Sequence, residues 1–110
     1  MDAGTLKIMQ TQYIKRILKK FDMAESHPIG TPLDPNVKLI KTPDDEHHDI
    51  PEYHSAIGSL MYAAIRTRPD ISFAVQTLSQ FMSNPGPAHW TAVKHVFRYL
   101  NGTRELGIIY

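Results

Sequence analysis

The amino-acid sequence predicts a mainly α-helical domain of about four amphipathic helices, with short strands at both ends and a long proline-rich loop. Three observations predict this fold class. Apolar residues recur at helical spacing in four segments, prolines interrupt one long stretch, and short apolar runs stand near both termini. With 110 residues the chain can form at most one small domain. We expect a single partial domain over residues 1–110, divided into 1–23, 24–51, 52–103 and 104–110.

The first segment predicts a short edge strand followed by a helix. Leu6 and Ile8 alternate with polar residues over positions 5–9, which is typical of a strand. Over residues 11–23 apolar side chains fall on one stripe with the period of a helix, formed by Tyr13, Ile14, Ile17, Leu18 and Phe21. Thr11 suits the N-cap of this helix, because its hydroxyl can accept a hydrogen bond from a free backbone N–H.

Residues 24–51 predict a loop, because prolines at this spacing leave no room for a helix; they are Pro28, Pro32, Pro35, Pro43 and Pro51. A loop of this length is unusual in a compact domain, so we expect it to be mobile or to lie against a neighbouring surface. An acidic run holds five of the eleven acids, Asp44, Asp45, Glu46, Asp49 and Glu52. The other six acids stand against all twelve Lys and Arg, which leaves a balance of +6 outside the run.

Pro51 suits the first position of the second helix, whose apolar stripe consists of Tyr53, Ala56, Ile57, Leu60, Met61 and Ala64. Gly58 and Ser59 lie beside this stripe, where small residues would permit close packing. The third helix restarts at Pro69, with Thr67 or Arg68 as its cap and Asp70 in its first turn. Its apolar stripe consists of Ile71, Ala74, Val75, Leu78, Phe81 and Met82.

The fourth helix is predicted from about Ala88 to Asn101, and it buries Val93, Val96, Phe97 and Leu100. Gly102 suits the C′ position just after this helix. Residues 106–110 then begin an apolar strand that has no partner in this chain. Because strands without partners stand at both ends, we expect the chain to be a piece of a longer polypeptide, part of a larger α+β protein.

Composition excludes several classes of protein. Without cysteine the chain can form no disulfide, thiolate metal site or cysteine nucleophile. No run of about 18 apolar residues predicts a membrane span, and the first residues lack the pattern of a secretory signal. We therefore expect an intracellular protein, cytoplasmic or nuclear, without a membrane partner.

No set of residues predicts catalysis, a metal site or a cofactor. Asp44 and Asp45 follow a proline and lack the apolar flanks of a tight hairpin that would fix two carboxylates around metals, so a solvated loop is favoured. His89 and His95 are six residues apart, which does not place them on one face of a helix. Neither a nucleophile elbow nor a glycine-rich phosphate loop occurs.

The corner at residues 66–70, RTRPD, allows two interpretations. Arg68 or Thr67 can cap the third helix while an arginine pairs with Asp70; alternatively, both arginines can contact phosphate beside a helix N-terminus. Basic faces on the first and fourth helices, with tyrosines and Trp90 nearby, likewise suit either a solvated surface or nucleic-acid contact. The nucleic-acid-binding candidates are Arg66, Arg68, Lys94, Arg98, Lys15 and Lys19.

A series of short motifs in collinear order resembles the end of the copia-type reverse transcriptase domain. They are QTQYI at 10–14, ILKKFDM at 17–23, TPL at 31–33, YHSAIGSLMY at 53–62, TRPDI at 67–71, PGPAHWTAVK at 85–94 and RYLNGT at 98–103. Each motif alone is weak, but together they cover nearly the whole chain. The family is the Pol polyprotein of LTR retrotransposons, with protease, integrase, reverse transcriptase and ribonuclease H.

The resemblance implies the thumb and connection, the helical part after the catalytic hairpin that grips the template–primer duplex and leads to ribonuclease H. The catalytic Asp-Asp pair of the family is absent, and Asp44-Asp45 does not align with it. The expected partners are therefore template–primer nucleic acid and the remainder of the Pol polyprotein, with no catalysis by this chain alone. Two alternatives stay open, a domesticated nucleic-acid-binding module and a purely structural or interaction domain.

Overall fold

The computed structural model describes residues 3–66 and 68–103, with side chains from residue 11 onward. In chain order the elements are α1 (Ala3–Lys20), α2 (Glu52–Arg66), a 3-10 turn (Pro69–Ile71), α3 (Ser72–Ser79) and α4 (Pro87–Thr103). No strand occurs within the described residues. The prediction of a mainly helical chain with four helices is confirmed.

One apolar core joins the four helices. The predicted stripes supply it, because a helix buries the face on which its apolar residues recur. The stripe of α4 is fully buried, as predicted, at Val93, Val96, Phe97 and Leu100. On α2 the stripe is buried except for Met61, which is 38% exposed. The remaining core side chains include Ile14, Ile17, Leu18, Ile71, Ala74, Val75 and Leu78.

The predicted strand at residues 5–9 is wrong, because α1 begins at Ala3 and runs through these residues without a break. The alternation of Leu6 and Ile8 is too short to outweigh continuation of a helix, where each added residue contributes a backbone hydrogen bond. Thr11 consequently lies inside α1 and not at its N-cap. The strand predicted at residues 106–110 lies outside the described residues.

The end of α1 is a Schellman motif. The Met23 N–H donates to the Leu18 carbonyl oxygen at 2.7 Å, and the Asp22 N–H donates to the Lys19 carbonyl oxygen at 3.2 Å. Asp22 occupies the left-handed position of the motif, with φ of 59°. The helix therefore ends three residues earlier than the periodicity of the sequence indicated.

The segment between Lys20 and Glu52 contains neither helix nor strand, and parts of it lie along α4. The ring nitrogen Nε2 of His95 donates to the Thr31 carbonyl oxygen at 2.9 Å. Arg98 Nε donates to the His27 carbonyl oxygen at 2.8 Å, and Asn101 Nδ2 donates to the Ser26 carbonyl oxygen at 2.7 Å. Three side chains of one helix thus satisfy carbonyl groups of the segment.

Gly102 lies inside α4 and not after it, so its predicted C′ position is wrong. Its role is close packing, because a Cβ atom at this position would lie 2.8 Å from the Cβ of Pro28. The α3 helix ends at Ser79, and the predicted stripe continues through a turn at Phe81 and Met82, both half-buried. The structure therefore shortens the third helix and lengthens the fourth.

Candidate nucleic-acid interface

The corner between α2 and α3 is organised around the side chain of Arg68. Its guanidinium is 1% exposed and donates from Nε and Nη2 to the two carboxylate oxygens of Asp70, at 3.1 and 3.0 Å. Nη1 donates to the Thr103 carbonyl oxygen at 3.1 Å, and Nη2 donates to Thr103 Oγ1 at 2.6 Å. The corner is therefore an arginine–aspartate pair that also holds the end of α4.

Asp70 receives a third hydrogen bond in this network, from the hydroxyl of Tyr99 at 2.5 Å. Burial alone would raise the pKa of Asp70, but the hydrogen bonds from Arg68 and Tyr99 and the guanidinium charge outweigh it and hold that pKa below its ordinary value. Burial, together with the same carboxylate, raises the pKa of Tyr99. The corner consequently stays ionised at neutral pH.

The burial of Arg68 removes it from the nucleic-acid-binding candidates. Its donors are directed into the protein, and its Cζ lies 5.7 Å from the ring centroid of Tyr99. Arg68 is the residue before the 3-10 turn, but its side chain makes no capping hydrogen bond. Of the two interpretations of the corner, pairing with Asp70 is correct for this arginine.

Arg66, the neighbouring candidate, points to solvent and belongs to a different set of contacts. Its Cζ lies 5.3 Å from the ring centroid of Tyr62, whose ring lies 4.9 Å from that of Tyr13 on α1. Arg16 stacks over Tyr13 at 5.7 Å, and the Tyr13 hydroxyl donates to the Ser59 carbonyl oxygen at 3.0 Å. We call Arg16, Tyr13, Tyr62 and Arg66 the Arg–Tyr cluster.

The Arg–Tyr cluster places two guanidiniums on one surface. Both arginines are exposed, and within residues 11–66 and 68–103 neither has a carboxylate at ion-pair distance. A guanidinium stacked on a tyrosine keeps its N–H donors free in its own plane, where phosphate oxygens can accept from them. The cluster can therefore hold anions.

The sequence predicts Arg66 as a binding candidate, whereas it places Arg16 only within the basic face of α1. The spacing of the aromatic and basic residues could have identified the pair. Tyr13 and Arg16 are three apart, and Tyr62 and Arg66 are four apart, which places each pair on one helix face. What the sequence cannot give is the contact of Tyr13 with Tyr62, because it depends on how α1 packs on α2.

The remaining candidates lie on two helices. Lys15 and Lys19 are exposed one turn apart on α1, and Lys94 is exposed on α4 with its Nζ 5.7 Å from the ring centroid of Trp90. Arg98 is half-buried, and its Nε already donates to the His27 carbonyl oxygen. The structure therefore brings Arg66 together with Arg16, and it does not join Arg66 to Arg68.

Carboxylates and histidines of the described part form no cluster of three that could bind a metal ion. Asp44 is 89% exposed and pairs with Lys41 at 3.3 Å, and Asp45 beside it is also exposed. None of the helices described here combines the length and the apolar character needed to cross a membrane.

Comparisons with known proteins give relatives among transposon polyproteins. The chain is 46% identical over 104 residues to the retrovirus-related Pol polyprotein from transposon TNT 1-94 of Nicotiana tabacum, covering 89% of this chain and 8% of that protein. It is 41% identical over 103 residues to the Pol polyprotein from transposon RE2 of Arabidopsis thaliana, covering 94% and 7%. No protein-family model matches the chain, and no solved structure matches it.

A third relative is the putative transposon Ty5-1 protein of Saccharomyces cerevisiae, 31% identical over 107 residues, covering 97% of this chain and 35% of that protein. Homologues of the chain are thus segments of transposon Pol polyproteins. The chain spans less than a tenth of the length of the two plant polyproteins.

Proposed function

We propose that this chain is the thumb and connection segment of a copia-type retrotransposon reverse transcriptase, which contacts the template–primer and links the polymerase to ribonuclease H. The observation that carries the proposal is collinear similarity over about nine tenths of the chain to Pol polyproteins of two plant transposons. The motifs that resemble the end of the reverse transcriptase domain lie within this matched length. The chain is thus a remnant or a part of a polymerase polyprotein.

Contact with nucleic acid is supported by exposed cations on three of the four helices. Lys15, Lys19, Arg66 and Lys94 are exposed, and in the described part of the chain they have no carboxylate partner at ion-pair distance. Cations that are not neutralised internally can replace the counterions of phosphates, and the release of those counterions favours binding. Arg98 can contribute only through the donors that His27 does not occupy.

Polymerase and nuclease chemistry would belong to other parts of the polyprotein. Both chemistries need carboxylates held around two metal ions. Asp44 and Asp45 are exposed on an irregular segment, which does not fix their geometry. In this proposal the chain positions nucleic acid and supplies no catalytic group.

The remainder of the Pol polyprotein is the proposed protein partner. Large apolar side chains stay exposed on α2 and α3, with Ile65 and Phe73 each 77% exposed. Phe73 also lines an apolar groove of about 350 Å³ with residues of the proline-rich segment, among them Leu33, Val37 and Leu39. Exposed apolar surface of this kind marks contact with other protein. It favours a segment of a larger protein over a free-standing nucleic-acid-binding module.

Binding of an RNA–DNA hybrid measured against salt concentration tests the proposal. A triple variant, Lys15→Gln, Lys19→Gln and Lys94→Gln, should bind more weakly, with a shallower dependence of log affinity on log salt by roughly 0.9 for each phosphate that is no longer neutralised. The control is Lys38→Gln with Lys41→Gln, which removes two exposed charges from the proline-rich segment and leaves the helices unchanged. No binding by the parent chain, or equal slopes in all three proteins, would refute the nucleic-acid role.

A further inference from the structure

A shallow depression lies between α1 and α2, beside the tyrosine pair of the Arg–Tyr cluster. Its volume is about 450 Å³, and it is lined by Tyr13, Arg16, Ser55, Gly58, Ser59 and Tyr62. The depression is wide open to solvent, so a planar ring can lie against its surface. It differs from the exposed lysines above, because it is lined by two tyrosine rings in contact with each other and by an arginine.

Gly58 keeps the floor of this depression open. It lies in the middle of α2, where glycine destabilises a helix by roughly 1 kcal/mol relative to alanine. Close packing does not require it, because a Cβ atom at this position would meet nothing within 4 Å. The prediction that Gly58 permits close packing is therefore wrong, and its absent side chain leaves empty space beside Tyr62.

Tyr62 gives the depression an aromatic surface. It is 49% exposed although its ring packs against that of Tyr13. Nucleobases stack on exposed aromatic rings in proteins that bind single strands, whereas the bases of a duplex are already stacked on each other. Arg16 lines the depression, and the Cζ of Arg66 lies 5.3 Å from the ring centroid of Tyr62, so each guanidinium lies beside one of the two tyrosine rings.

From this arrangement we infer that the depression binds one unpaired nucleotide of a single-stranded nucleic acid, with its base against Tyr62 and its phosphates on Arg16 and Arg66. The inference rests on the proposed function and specifies which part of the nucleic acid the Arg–Tyr cluster binds. Within a template–primer, the Arg–Tyr cluster takes an unpaired stretch of strand, while the exposed lysines take the sugar–phosphate backbone without regard to pairing. Stacking is indifferent to base identity, so the depression selects for single-strandedness and not for sequence.

The test compares binding of a fluorescently labelled 12-nucleotide single strand with that of the blunt duplex of the same sequence, by anisotropy. Gly58→Leu fills the depression, and Gly58→Ala is the matched control that adds only one methyl group. Both substitutions improve helix propensity, so thermal midpoints equal to or above that of the parent will show that the fold is intact. We expect Gly58→Leu to bind the single strand about tenfold more weakly than Gly58→Ala, with duplex binding unchanged.

A second pair of variants tests the ring itself. Tyr62→Phe keeps the aromatic surface and should bind the single strand like the parent, whereas Tyr62→Leu should bind it about tenfold more weakly. Equal affinity of Gly58→Leu and Gly58→Ala for the single strand overturns this inference. If the parent binds the duplex with strong salt dependence but the single strand no better, only this inference fails. If the parent binds neither form, the proposed function fails as well.

Discussion

Arg68 donates hydrogen bonds to both the carbonyl oxygen and the hydroxyl of Thr103, a residue 35 positions later in the chain. Through these hydrogen bonds the corner after α2 is joined to the last turn of α4. The carbonyl groups at the end of a helix lack intrahelical partners, and a buried cation satisfies one of them here. Arg68, a candidate for phosphate contact from the sequence, thus connects α4 to the corner after α2.

Replacement of Arg68 should destabilise the protein. Arg68→Ala leaves Asp70 and the Thr103 carbonyl oxygen without the donors that Arg68 supplies. We expect a loss of roughly 2–3 kcal/mol in the free energy of unfolding, which is less than for a fully buried pair because the Asp70 side chain is 28% exposed and water can partly solvate it. This exceeds the roughly 1 kcal/mol or less expected of an exposed pair. Urea denaturation followed by circular dichroism measures the change. Arg66→Ala is the control, and a similar loss in both variants would contradict the assignment.

The same network predicts a pH dependence. Because the folded-state pKa of Asp70 lies below its ordinary value, the carboxylate contributes stability that is fully present above the unfolded-state pKa. That contribution is lost as pH falls through the folded-state pKa. The stability difference between the parent and Asp70→Asn should therefore be largest near neutral pH and shrink in acid. Urea titrations from neutral to acidic pH measure it, and a difference independent of pH would count against the charged pair.

The left-handed residue at the end of α1 offers a stabilising substitution. Asp22→Gly removes the steric cost of a positive φ and a negative charge next to the C-terminus of a helix, so we expect a gain of about 1 kcal/mol. Asp22→Ala removes the charge but keeps the strain, and it should be less stable than Asp22→Gly. Thermal unfolding distinguishes the two. Alanine as stable as glycine at this position would argue against the Schellman motif.

His89 attaches the proline-rich segment to α4, and replacing it should destabilise the protein. Its Nδ1 accepts from the Gly86 N–H at 2.8 Å, its Nε2 donates to the Ile40 carbonyl oxygen at 2.7 Å, and its ring stacks on Phe81. His89→Phe keeps a ring but removes both hydrogen bonds, at a cost of about 2 kcal/mol. His95→Phe is the control, because His95 is more exposed and makes one such bond. Equal urea midpoints for the two variants would refute this role.

The sequence predicts the helices well because their apolar residues recur at a period that only a helix can bury on one side. It fails where two local patterns compete, as at Leu6 and Ile8, whose alternation is shorter than the helix that contains it. It also misplaces Gly102, because the reason for that glycine is its packing against Pro28, more than 70 residues earlier in the chain. Local signals cannot report such a long-range approach.

In the candidate site, too, the sequence predicts local features but not those that depend on long-range packing. Exposed cations such as Lys15 and Lys19 can be recognised from their place on the polar face of a helix. The sequence cannot show that Arg66 is exposed while Arg68 is buried. Both arginines stand in the same corner, and only the position of Thr103 in the fold distinguishes them. The contact between Tyr13 and Tyr62 likewise depends on the packing of α1 on α2.

The salt dependence of template–primer binding tests most directly whether the Arg–Tyr cluster binds nucleic acid. The ligand is an RNA–DNA hybrid with a single-stranded template overhang, and the variant is Arg16→Ala with Arg66→Ala, both on the surface. We predict weaker binding and a salt slope shallower by roughly 0.7–0.9 for each phosphate that is no longer neutralised, with an unchanged thermal midpoint. A slope identical to that of the parent would contradict the assignment of nucleic-acid binding to this cluster.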